Sequence, residues 1–151
     1  MDRTIIAAKA NEDFMNDSCQ LCAPDLSSAG ELVFDFGDWK LLLHPDSAVP
    51  GHSMLVSSRH VENFAELTDS ETQQFARVQK VAERALLDVT QTDRAILLKL
   101  GIQVPHFHLH IYPVSRAMSR GDVMRVINAE VSEPREADFG KRLRDRVLRL
   151  T

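Results

Sequence analysis

The stretch His106-Phe107-His108-Leu109-His110-Ile111 places three of the chain's six histidines within five residues. Strict alternation of imidazole with an apolar side chain is the pattern of a half-buried β-strand, where successive side chains point to opposite faces. A strand over His106–Tyr112 sets the three imidazoles on one side, roughly 6.6 Å apart along it, with Phe107, Leu109 and Ile111 on the core side. A slip of one residue would bury the imidazoles and expose the apolar set, so the register is well specified. Imidazoles on an accessible face suit a metal ligand, a general acid or base, a nucleophile or a donor to an oxyanion. The stretch alone leaves all four open.

Working outward, Gly101-Ile102-Gln103-Val104-Pro105 reads as a tight connection, and Ala95–Leu100 as a largely apolar strand buried on both faces. A long helix is expected from about Asp69 to Val89, because Phe75, Val78, Ala82, Ala85, Leu86 and Val89 recur at helical spacing. Thr68-Asp69-Ser70-Glu71 supplies its capping box. Ser53–Ser57 reads as a strand. His44–Gly51, with Pro45 and Pro50, is a connection. Glu31–Phe36 and Trp39–Leu43 form a hairpin about Gly37-Asp38. Trp39 is expected in the core, and His52 as a hydrogen-bonded loop residue. A short helix is expected over Ile5–Phe14 and a loop over Ser115–Asp122. A last amphipathic helix is marked by Phe139, Leu143, Val147 and Leu150, its excess of Lys and Arg forming a solvated face.

The chain of 151 residues fits one domain, with 44 % hydrophobic residues to build its core. Two cysteines exclude a disulfide scaffold. A formal net charge of −4 argues against a surface that tracks nucleic acid, and still permits a small anion held by amides and imidazoles. No apolar run approaches the ~18 residues of a membrane span. The first ten residues lack the apolar stretch of a signal peptide, so a cytoplasmic protein is expected. Cys19-Gln20-Leu21-Cys22 reads as a redox pair, half a zinc site or an accident of spacing.

Val49-Pro50-Gly51-His52-Ser53-Met54-Leu55-Val56-Ser57-Ser58-Arg59-His60-Val61-Glu62-Asn63-Phe64 resembles the signature segment of the histidine triad (HIT) superfamily. His106–Ile111 resembles its alternating triad, and the two occur in the family's order with a long helix between them. The resemblance covers roughly residues 19–114. It implies an α+β fold: a five-stranded antiparallel sheet packed by a long helix and additional helices, paired as a homodimer. The domain would span 1–151, with its core at 19–114 and a C-terminal extension at 115–151. The implied activity is that of a nucleotide hydrolase or nucleotidyl transferase. It would cleave at the α-phosphate of a dinucleoside polyphosphate or nucleoside phosphoramidate through a covalent nucleotidyl-His108. The implied catalytic set is His106, His108, His110 and Gln103.

By the same resemblance, His44, Asp46, Gln103 and His110 bind substrate, and Cys19, Cys22, His60 and His106 hold a structural zinc of the type many bacterial members carry. His44 stands where the family commonly has Asp or Asn for the ribose hydroxyls, and Val114 follows Pro113 where many relatives have Arg. Two other readings compete. One is a nucleotide-binding protein without turnover. The other is a metalloenzyme using the His cluster, which a straight strand fits poorly, since His106 and His110 would lie roughly 13 Å apart.

Overall fold

The computed structural model describes residues 18–46 and 48–151, so the expected helix over Ile5–Phe14 lies outside the described residues. Five strands, β1 (Glu31–Asp35), β2 (Trp39–Leu43), β3 (Ser53–Ser57), β4 (Arg94–Leu98) and β5 (His108–Val114), form one antiparallel sheet in the order β1-β2-β3-β5-β4. Three helices accompany it: α1 (Asp69–Thr90), α2 (Arg120–Ile127) and α3 (Phe139–Leu148). This is the expected α+β arrangement. The β1–β2 hairpin turns at Gly37, whose φ of +95° lies in the region that favours glycine, and the Asp35 carboxylate accepts the Gly37 N–H at 2.8 Å.

Side-chain alternation divides the sheet into two faces. Trp39, Leu41, Leu43, Leu55 and Ile111 meet Val78, Ala82, Ala85 and Leu86 of α1 in the main core. Leu42, Met54 and Val56, offset by one residue, pack instead with Leu21, Leu26 and Ala29. Trp39 is fully buried, as expected, and its indole N–H donates to the Glu71 carbonyl at 3.0 Å. The capping box forms at the start of α1. Thr68 Oγ1 accepts from the Glu71 N–H at 3.2 Å and Glu71 Oε2 accepts from the Thr68 N–H at 2.8 Å. Arg59 grips the same carboxylate with two hydrogen bonds, of 2.9 and 2.8 Å. That guanidinium is the main reason the Glu71 carboxyl is held at about 2.

α3 is part of the main core, because Phe139, Leu143 and Val147 are buried among the sheet and α1 residues. Its Arg144 reaches across to β1, where Nε donates to the Val33 carbonyl at 2.9 Å and Nη2 to the Leu32 carbonyl at 3.1 Å. The β1 register shifts between Leu32 and Phe34, so these carbonyls sit at an irregularity of the outermost strand.

Three expectations need correction. β4 is not buried on both faces: it is the edge strand next to β5, and Leu97 is 45 % exposed. β5 begins at His108 and not at His106. Pro105 has no N–H to give a ladder, and the Phe107 N–H is taken by the Val61 carbonyl at 2.6 Å, so pairing with β3 starts two residues later. Finally, the loop expected over Ser115–Asp122 contains the start of α2. Ser119 Oγ accepts the Asp122 N–H at 3.1 Å, a capped helix entry that the weak apolar periodicity of this segment conceals.

Candidate functional site

Because β5 starts at His108, the three histidines of the alternating stretch do not act as one group. His108 and His110 line a cleft of about 600 Å³ on the sheet face away from α1. His106, which is 1 % exposed, turns to a separate cluster of Cys19, Cys22 and His60. A metal site of His106, His108 and His110 is therefore not assembled.

The cleft draws on six segments, the first of which supplies Gln20, Leu21, Ser28 and Ala29 ahead of β1. His44, Pro45, Asp46 and Ala48 come from the connection after β2, and His52 and Met54 from the approach to β3 and its start. Leu100 to Val104, with Gln103 among them, come from the loop after β4, and His108, His110 and Tyr112 from alternate positions of β5. The turn Val126–Ala129 at the end of α2 completes the lining. The sequence-predicted residues His44, Asp46, Gln103, His108 and His110 are thus brought together. His52, Tyr112 and Val126–Ala129 are additions. Tyr112 continues the alternation of His108 and His110 and was legible in that way. Nothing in the sequence ties Val126–Ala129 to a strand more than ten residues earlier.

His108 is held by its own backbone. Its Nδ1 lies 2.7 Å from the His106 carbonyl oxygen. A carbonyl only accepts, so Nδ1 carries the proton, and in the neutral ring Nε2 keeps its lone pair. His52, expected as a hydrogen-bonded loop residue, is hydrogen-bonded but 96 % buried, with Nε2 3.0 Å from His110 Nδ1. The His44 and His52 rings stack with centroids 4.3 Å apart and planes at 13°, and Tyr112 also stacks on His52 with centroids 4.2 Å apart. His44 Nδ1 is engaged by the Asp46 backbone, with N at 3.1 Å and O at 2.9 Å. Burial is the main cause that pushes His52 down to about 3 and His110 to about 4. Neighbouring imidazoles lower both further, and desolvation lowers His44 as well. His52 and His110 are therefore uncharged at neutral pH, and His44 is shifted in the same direction.

The second cluster sits at the edge of the N-terminal segment. The Cys22 Sγ lies 3.1 Å from His60 Nδ1 and 3.3 Å from His106 Nδ1, and Cys19 Sγ lies 3.5 Å from the same His106 nitrogen. Neither cysteine is disulfide-bonded. The His106 Nε2 is 2.8 Å from the Ser57 carbonyl, which fixes its proton there and presents the Nδ1 lone pair to the sulfurs. Ligands around a tetrahedral zinc, with Zn–S about 2.3 Å and Zn–N about 2.0–2.1 Å, stand roughly 3.5 Å apart, so the donor set and spacing fit that ion.

The HIT domain family matches residues 25–117 of the chain. Protein hit from Bacillus subtilis (strain 168) is 32 % identical over 101 residues, covering 63 % of this chain and 68 % of its own length. The fold is shared with a hypothetical histidine triad nucleotide-binding protein from Sulfolobus tokodaii strain7, with TM-score 0.67 and 20 % identity over 87 % of this chain and 93 % of that one. It is shared equally with a Zn-bound histidine triad family protein from Mycobacterium smegmatis, with TM-score 0.62 and 18 % identity over 89 % and 96 % of the two chains. With the family match spanning more than half its length, the alternating histidines on the expected strand order and the cysteine pair beside them, this chain belongs to the HIT family.

Proposed function

We propose that the chain is a nucleotide hydrolase or nucleotidyl transferase that works through a covalent nucleotidyl-His108. The observation that carries this reading is the 2.7 Å bond from His108 Nδ1 to the His106 carbonyl, which leaves Nε2 as the nucleophilic atom in a cleft of ligand-binding size. In the first step Nε2 attacks the α-phosphorus of a dinucleoside polyphosphate or nucleoside phosphoramidate. A P–N bond forms, and the bond from phosphorus to the leaving group breaks with its electron pair. His110 donates a hydrogen bond to a phosphate or leaving-group oxygen, and the departing atom takes its proton from solvent. When His52 Nε2–H donates to His110 Nδ1, the His110 proton sits on Nε2, the nitrogen not engaged by His52. In the second step water, or another acceptor with an O–H, attacks phosphorus, the P–N electron pair returns to Nε2, and the acceptor's proton is released to solvent. Gln103 supplies a side-chain amide donor for charge developing on the phosphate. His44 and Asp46 face the sugar.

In this reading Cys19, Cys22, His60 and His106 hold a structural zinc. All four positions of the ion are filled by protein, so it serves to pin the N-terminal segment to the residue whose carbonyl orients His108. The same residue belongs to both sites: His106 gives its ring to the sulfurs and its carbonyl to the nucleophile. Thiols kept reduced for zinc point to the cytoplasm. The whole chain, 1–151, is read as one domain with its core at 19–114, and a homodimer is proposed through the open edge of β4.

The deciding experiment is acid quench after mixing with α-labelled nucleotide. Label should appear on the wild-type chain in an acid-labile bond. His108→Gly should remove label and lower turnover by at least ~10³-fold, the scale of losing a nucleophile, while circular dichroism stays unchanged. Full turnover in His108→Gly would remove the reading. Nucleotide binding with no label and no product would leave a binding protein.

A further inference from the structure

We propose that His44, His52 and His110 form a second metal site, for one divalent transition ion of the zinc, cobalt or nickel class, inside the cleft that contains His108. Among the described residues, two groups bring together three or more ligand atoms within 4.8 Å of one another: the cysteine–histidine cluster and this one, and they share no residue. Each of the three imidazoles comes from a different segment: the connection after β2, the approach to β3, and β5. Uncharged imidazole is the ligand form these metals accept.

One further observation points to a ligand. Among the described residues that line the cleft there is no Lys or Arg, and the charged residue present is Asp46. A cleft that handles a nucleotide phosphate therefore lacks a fixed positive charge of its own, and an ion at the three imidazoles supplies it. This point rests on the function proposed above; the imidazole cluster does not.

The ion would replace the hydrogen bond between His52 Nε2 and His110 Nδ1, which are 3.0 Å apart. His44 offers Nε2, because its Nδ1 is engaged by the Asp46 backbone. Ligand lone pairs lie in the ring plane, and the His44 and His52 planes are stacked at 13°, so one ring must turn to share an ion. His44 is half-buried on a connection and is the ring that must turn, which exchanges its stacking on His52 for the ion. Three protein ligands leave a coordination position open for water or a phosphate oxygen.

The test is metal stoichiometry. Full-length protein is stripped with chelator, dialysed against Zn²⁺, and counted by atomic emission. Two ions per chain are expected for wild type, and one for His44→Phe, which keeps a flat ring against His52, and for His44→Ala. With Co²⁺ in place of Zn²⁺, the wild-type minus His44→Phe difference spectrum should carry d–d bands without a thiolate charge-transfer band. Two ions retained by both His44 variants, or a difference spectrum with thiolate charge transfer, overturns the proposal. So does a wild-type chain that saturates at one. Labelling of His108 is scored separately. One ion with label sinks the second metal site alone, whereas two ions without label sink the nucleotidyl intermediate alone.

Discussion

At the scale of single residues, His52 and His110 carry a measurable pH signature. Burial pushes both far below the ordinary histidine value of 6.5, to about 3 and about 4, and the unfolded chain restores them. Between about 6.5 and about 4 the unfolded state therefore binds more protons than the folded one, and acid favours unfolding. Stability is complete above 6.5 and falls as pH drops toward 4. Urea midpoints should decline across that window, and His52→Asn should flatten the decline; a pH-independent midpoint contradicts the burial of these rings. Gly51 sits beside them with φ +84°, and a Cβ there would meet Thr90 Cγ2 at 2.8 Å and Pro113 Cγ at 3.0 Å. Gly51→Ala combines a left-handed backbone with this crowding and should cost roughly 1–3 kcal/mol, read from denaturant unfolding.

At the scale of elements, α1 owes its start to Thr68. Thr68→Ala leaves the Glu71 N–H without its acceptor and should cost about 1 kcal/mol, most of it in the urea midpoint and little in the slope. α1, β2 and β3 were legible because each repeats one signal along its length: helical spacing in Phe75, Val78, Ala82 and Leu86, and turn residues at both ends of the strands. The ends of β4 and β5 were not. Whether His106 belongs to β5 depends on whether Val61 or β3 takes the Phe107 N–H, and that partner is 46 residues away in sequence. β4 reads as a central strand by composition, since Ala95, Ile96, Leu97 and Leu98 are apolar; only the strand order shows that it is an edge. α2 has a clear cap in Ser119 and Asp122 but just one buried apolar residue, Val126, so periodicity had little to act on.

At the scale of the whole molecule, the candidate site is a product of topology. Cys19 and His106 are 87 residues apart and His52 and His110 are 58 apart, yet each pair is within 3.5 Å. The sequence supplies the residue types and their order, whereas the division of the triad between two clusters exists only once the sheet is built. The proposed homodimer also belongs to this scale. Leu97 on the open edge of β4 is the residue to change: Leu97→Lys should shift the sedimenting species from two chains to one. A wild-type chain that sediments as one copy at tens of micromolar removes that assembly.

The reach of Arg144 to the carbonyls of Leu32 and Val33 bears on how such an assembly ends. With two carbonyls of that flank already capped from within the chain, strand addition from a neighbour is disfavoured there relative to the border at β4. Two copies joined along it exhaust each other's docking capacity. In the proposed assembly, growth would stop at a closed dyad.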